Sequence, residues 1–193
     1  MKQTTLITLI CAFCSVAQAT MYDFNSISTG NYTEGAFSAL FPGISFNNTG
    51  GEEFRVDNVS SLLEPDFSGN AVINDPSASE GNSTIATFDV PVTSFSVTMG
   101  DCNADPDDLY LFAYDSGNNL IDSDFYANPN TSYAGHTLSV MGNIAWVQYY
   151  AVGSSYNSVW WDNVSFTPVP APAAVLLGVL GLSAVGIKLR KFA

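Results

Sequence analysis

Between its two ends this chain has almost no positive charge. Of the five Lys and Arg residues in 193, Lys2, Lys188, Arg190 and Lys191 sit at the termini, and Arg55 stands alone in the body. All 18 acidic residues fall between Asp23 and Asp162. Phosphate binding needs clustered Lys and Arg, so no nucleic acid is expected as a partner. Anionic membrane surfaces would repel the body as well. Cysteine is nearly absent. Cys11 and Cys14 lie in the N-terminal apolar run, which leaves Cys102 without an internal disulfide partner and expected as a small, partly buried thiol. Histidine is represented by His136 alone. A His-rich zinc centre is therefore excluded, and no G-x-S-x-G elbow is present. Sustained helical periodicity is missing too.

The two ends read as addresses. Lys2 begins a positive n-region, Leu6 to Val16 form an apolar run, and Ala17-Gln18-Ala19 places small residues at a cleavage position. This is the pattern of a secretory signal peptide over residues 1–19, cut by signal peptidase after Ala19. The residues before Cys11 and Cys14 are Ile10 and Phe13, too large for lipidation. At the other end, Ala173 to Ile187 carries no charge and Lys188-Leu189-Arg190-Lys191 closes it. As a helix that run spans about 22 Å. With Lys188 and Arg190 snorkelling, it approaches a minimal transmembrane helix, its basic end held in the cytoplasm and the body outside.

The order of a Pro motif, an apolar Leu/Gly helix and a terminal basic cluster resembles the PEP-CTERM sorting signal of Gram-negative bacteria. Here the motif stands as Val169-Pro170-Ala171-Pro172-Ala173, followed by Leu177, Gly178, Leu180, Gly181 and Leu182. Ala171 replaces the usual Glu, as in a VPxPA variant. The resemblance covers residues 168–193. It implies that the chain is a substrate of an exosortase, cleaved near the Pro motif and delivered to the cell surface or extracellular matrix.

Residues 20–167 are expected to form one all-β ectodomain. Short runs rich in Phe, Val, Tyr, Thr and Ile alternate with polar residues, and Gly, Asn, Asp, Ser and Pro punctuate them. The expected strands are Met21–Asn25, Gly43–Asn47, Glu53–Asn58, Ala71–Asn74, Thr84–Val90, Ser94–Met99, Leu109–Tyr114, Leu120–Phe125, His136–Val140, Ala145–Ala151 and Val159–Thr167. Val90-Pro91-Val92-Thr93 and Asp115-Ser116-Gly117-Asn118-Asn119 read as hairpin turns. Such a strand density fits an antiparallel β-sandwich. Phe95 to Ile121, with Asp162 to Phe166, resembles the jelly-roll ectodomains found ahead of PEP-CTERM tails, which implies a galactose-binding-like sandwich and no fixed ligand.

Two clusters could bind something. Oxygen ligands at Asp101, Asn103 and Asp105, with Asp107 nearby, match the first half of an EF-hand loop. Pro106 and Phe112 break its second half, so the expectation is a calcium loop at the sandwich rim, completed by Asp23 or Asp162 from the terminal strands. The second cluster is aromatic and crowds the last two strands. Strict alternation along Val159–Thr167 sets Trp160, Asp162, Val164 and Phe166 on a core face. It leaves Trp161 exposed beside Asn163 and Ser165, as a sugar-stacking platform with Tyr149 and Tyr156. The resulting expectation is a non-enzymatic surface or matrix protein, calcium-stabilised. The alternatives are a carbohydrate-binding module for exopolysaccharide, or a glycoside hydrolase using two of the many carboxylates.

Overall fold

The computed structural model describes residues 18–50, 53–60, 69–74, 82–101, 107–127, 135–153 and 159–170. Ala19–Pro168 form a compact unit. The expected signal peptide up to Ala17, the transmembrane segment, and Ala171, Pro172 and Ala173 of the sorting motif lie outside the described residues. Val169 and Pro170 follow the last strand as exposed coil. Among the described residues no helix is long and apolar enough to cross a membrane.

The elements run β1 (Thr20–Tyr22), β2 (Gly30–Tyr32), α1 (Glu34–Ser38), β3 (Ile44–Asn48), β4 (Phe54–Asn58), β5 (Asn70–Asn74), β6 (Thr84–Asp101), β7 (Asp107–Tyr114), β8 (Leu120–Tyr126), β9 (His136–Gly153) and β10 (Val159–Pro168). All pairings are antiparallel. The order is β2-β4-β5-β10-β6-β9-β7-β8, with β1 added to β10 and β3 to β6. The all-β, antiparallel expectation therefore holds.

The short strand β2 is not among the expected strands, and two long strands, each fusing a pair of expected ones, make the sandwich. Val90-Pro91-Val92-Thr93 is no hairpin: β6 runs through it for 18 residues. Its first part, Thr84–Thr87, pairs with β3 and with Trp146–Tyr149 of β9. Its second part, Ser94–Met99, pairs with His136–Met141 of β9 and with β10. The register shifts between Thr87 and Ser94. Exposed Pro91 sits at that irregularity, where its missing N–H removes no bond to β9. β9 likewise fuses two expected strands into one of 18 residues, with Gly142 at φ +144° near its turning point. Both strands thus belong to two layers. One layer holds β3, the first half of β6, the second half of β9, β7 and β8. The other holds β1, β2, β4, β5 and β10 with the remaining halves.

Rings from both layers meet between them. Phe46 of β3 lies 5.4 Å from Trp161 of β10, and Tyr149 of β9 also lies 5.4 Å from Trp161. The helix α1 closes one side. It is too short to leave a periodic signature, and local chemistry makes it. Thr33 caps it with extended backbone, its hydroxyl accepting from the Ala36 N–H at 3.4 Å. Ser38 then acts as a strand partner, donating to the Phe46 carbonyl and accepting from the Phe46 N–H. Phe37, buried, points into the ring cluster.

Candidate ligand-binding face

The tryptophan pair corrects the sequence reading. Trp161 is 2% exposed and sits in the main core, T-shaped against Phe24 at 5.2 Å. Trp160 is also 2% exposed, but on the opposite side of β10, in a small cluster with Val59, Ala71 and Ile73. The Arg55 guanidinium lies 5.6 Å from its ring centre. The cause is a bulge. The register shifts between Asp162 and Ser165, and Asn163 adopts a left-handed φ of +52°. One inserted residue flips the parity, so Trp161 joins Val164 and Phe166 in the core. Tyr149 is 1% exposed in the same core, where burial pushes its phenol well above the usual value. Neither Trp161 nor Tyr149 can stack on an external sugar. Tyr156 lies outside the described residues.

The acidic candidates divide. Asn103 and Asp105 lie outside the described residues. The terminal strands do lie side by side, with Tyr22 opposite Val164. The charge of Asp23 therefore acts on Asp162. Asp162 is 2% exposed. Burial first, and Asp23 second, push its carboxyl up to about 7 against the Asn163 N–H that donates to it at 2.7 Å. Asp101, by contrast, pairs with Val159, three positions along β10 from Asp162. Asp107 is buried at the start of β7, opposite Gly153. Among the described residues no three carboxylate, His or Cys side chains gather as a metal cage would require.

A different surface gathers the exposed rings. Along β7, Leu109, Leu111 and Ala113 are buried while Tyr110, Phe112 and Tyr114 are half-buried on the other side. Along β9, Val147, Tyr149 and Ala151 point inward and Trp146, Gln148 and Tyr150 outward. The register sets Tyr110 opposite Tyr150, Phe112 opposite Gln148 and Tyr114 opposite Trp146. Their planes are nearly parallel. Tyr110 and Tyr150 stack at 5.1 Å and 17°, Phe112 and Tyr150 at 6.0 Å and 25°, and Tyr114 and Trp146 at 3.9 Å and 7°. Phe125 of β8, 51% exposed, extends the row 4.8 Å from Tyr110.

Polar groups are interleaved and held. Gln148 Nε2 donates to Ser83 Oγ at 2.7 Å. Trp146 Nε1 donates to Asn118 Oδ1 at 3.0 Å. Asn118, at φ +62°, belongs to the expected β7–β8 turn, which folds around Asp115. That carboxylate accepts from the Gly117 and Asn119 backbone and from the Asn119 side chain. The Asn119 amide above all holds the Asp115 carboxyl below its usual value. Desolvation first, then the phenols of Tyr110 and Tyr114, raise the pKa of the Tyr150 hydroxyl. The sequence carried this face as the alternation of Tyr110, Phe112 and Tyr114 with Leu109, Leu111 and Ala113. The same period in Trp146-x-Gln148-x-Tyr150 was the signal that could have completed it.

No protein-family model matches the chain, and no curated protein matches it. Solved structures resemble it loosely. The K2 cleaved adhesin domain of Lys-gingipain is 12% identical at a TM-score of 0.46, covering 78% of this chain and 99% of its own. The C-terminal family 22 carbohydrate-binding module of Clostridium thermocellum Xyn10B is 12% identical at 0.46, covering 78% and 93%. A mutant of the family 29 module CBM29-2 is 14% identical at 0.43, covering 79% and 93%. A likeness of this degree carries no ligand with it.

Proposed function

We propose that this chain is an exported, non-enzymatic surface or matrix protein, and that its jelly-roll, galactose-binding-like sandwich binds a polysaccharide across the outer face of β7 and β9. The observation that carries the reading is the ladder of near-parallel rings from Tyr110 to Tyr150 and from Tyr114 to Trp146. Pyranose rings have one apolar face of C–H groups, which stacks on aromatic surface, and a rim of hydroxyls. The ladder supplies the stacking surface, while the phenols and Gln148 supply donors and acceptors among the rings. Its planes are fixed in advance by cross-strand stacking and by the Asn118 bond to Trp146, so little ordering is required on binding.

Export and exosortase sorting complete the proposal, on the strength of the terminal sequences. Binding to a glycan array, followed by titration, tests the ectodomain role. Trp146→Ala and Tyr110→Ala should each weaken affinity about tenfold, the equivalent of about 1.4 kcal/mol. Circular dichroism should leave the fold unchanged. Full affinity in both variants would remove the face from consideration.

A further inference from the structure

The ring face has a charge character that narrows its ligand. We propose that the polysaccharide it binds is uncharged, and that the face rejects polymers bearing carboxylate or sulfate groups. This rests on the glycan-binding reading above. The body's single cation, Arg55, is committed elsewhere: its Nε is 2.6 Å from Asp57 Oδ2, and its guanidinium lies over Trp160 in the other layer. No Lys or Arg therefore belongs to β7, β8 or β9. Recognition of anionic sugars rests on guanidinium or ammonium groups, bidentate Arg above all.

The surroundings of the ladder are acidic. By strand alternation Asp108 shares the face of Tyr110, opposite exposed Val152. Asp115 stands in the turn that holds Trp146, its carboxyl below the usual range. Asp122 and Asp124 of the adjoining strand face the other way, on the side of Leu111 and Ala113, where they accept backbone N–H groups of β9. A polyanion laid along the rings would meet Asp108 and Asp115 and find no counter-charge. An uncharged chain meets phenol hydroxyls, an amide and ring faces, with no charge to desolvate on its own side. Neutral stacking is insensitive to salt, whereas a charge contact is screened over about 8–10 Å at ordinary ionic strength.

Calorimetric titration of the purified protein with four polymers tests the inference. A β-glucan and a galactomannan represent uncharged chains, and polygalacturonate and alginate represent anionic ones. The expected result is saturable binding to at least one uncharged polymer, with Kd unchanged within about twofold between about 50 mM and about 500 mM salt, and no binding to either polyanion. Ser123→Lys, which puts a cation beside Phe112 on the exposed edge strand, should confer polyanion binding that salt abolishes. Wild-type binding to a polyanion, lost in Trp146→Ala, would overturn the uncharged ligand and keep the face. Binding to none of the four would overturn the glycan reading itself, and this inference with it.

Discussion

Trp160 and Trp161 are chemically identical neighbours with different neighbourhoods. Trp161 is ringed by Phe24, Phe37, Phe46, Phe54 and Tyr149, whereas Trp160 packs on Val59, Ala71 and Ile73 under Arg55. Trp161→Ala is expected to lower unfolding free energy by about 3–5 kcal/mol, as truncation of a large core ring does. Trp160→Ala should cost less, since its cluster is small. Urea denaturation of both variants gives the ranking, and a larger loss at Trp160 would contradict the core assignment. Asp162 adds a pH dependence. Its folded carboxyl titrates near 7, above an unfolded value of about 3.9. The folded state therefore holds the proton more tightly between those values. Stability falls as pH rises from about 4 to about 7, by at most about 1.4 kcal/mol per pH unit, and levels off above. Asp162→Asn should flatten that slope. An unchanged slope would mean the carboxyl is not what titrates.

At the scale of elements, β8 does more than extend the sheet. It pairs with β7 along its backbone, and its carboxylates reach the free side of β9. Asp122 Oδ2 accepts the Met141 N–H at 2.7 Å, and Asp124 Oδ2 accepts the Ser139 N–H at 2.8 Å. These N–H groups lie on the half of β9 that pairs with β6 on its other side. Carboxylates here satisfy edge donors and oppose pairing with another chain. Asp124→Ala should lower stability by about 1 kcal/mol and raise the tendency to self-associate. Sedimentation at rising concentration reads the second effect, and a variant that stays monomeric and fully stable would show the edge needs no such cover. Gly142 serves the same corner. At φ +144° it turns the strand, and a Cβ there would come within 2.8 Å of Ile121 Cδ1.

For the whole molecule, the problem is charge. Eighteen acidic residues face one Arg in the body, and that Arg is already paired. Calcium at the Asp101–Asp108 segment remains our proposal for offsetting the repulsion, supported by this imbalance. If the ion binds only the folded form, a hundredfold excess over Kd adds about 2.7 kcal/mol, a shift of several degrees in Tm for a domain of this size. Asp105→Ala should abolish the shift, while Asp115→Ala, in the separate turn, should keep it. A Tm indifferent to both calcium and chelator would reduce the segment to a solvated turn.

The sequence by itself determined the all-β class and the two sides of β7, while the ligand face it pointed to, at Trp161 and Tyr149, is buried. Period-two alternation with Gly, Asn and Asp punctuation yields antiparallel strands because each residue's neighbours in sequence face opposite ways. The Asp115–Asn119 turn was legible because its side chains make their own local bonds. The sides of β7 were legible too, since no bulge disturbs Leu109 to Ala113. Other features depend on contacts distant in sequence. Alternation cannot register one extra residue, so the Asn163 bulge inverted Trp160 and Trp161. Pro91 reads locally as a stop, yet β6 continues because β3 pairs on one side as far as Phe88 and β9 resumes on the other at Val92. The ladder itself needed β7 and β9 in register: residues 36 apart in the chain, Phe112 and Gln148, become neighbours only when long-range pairing sets them opposite.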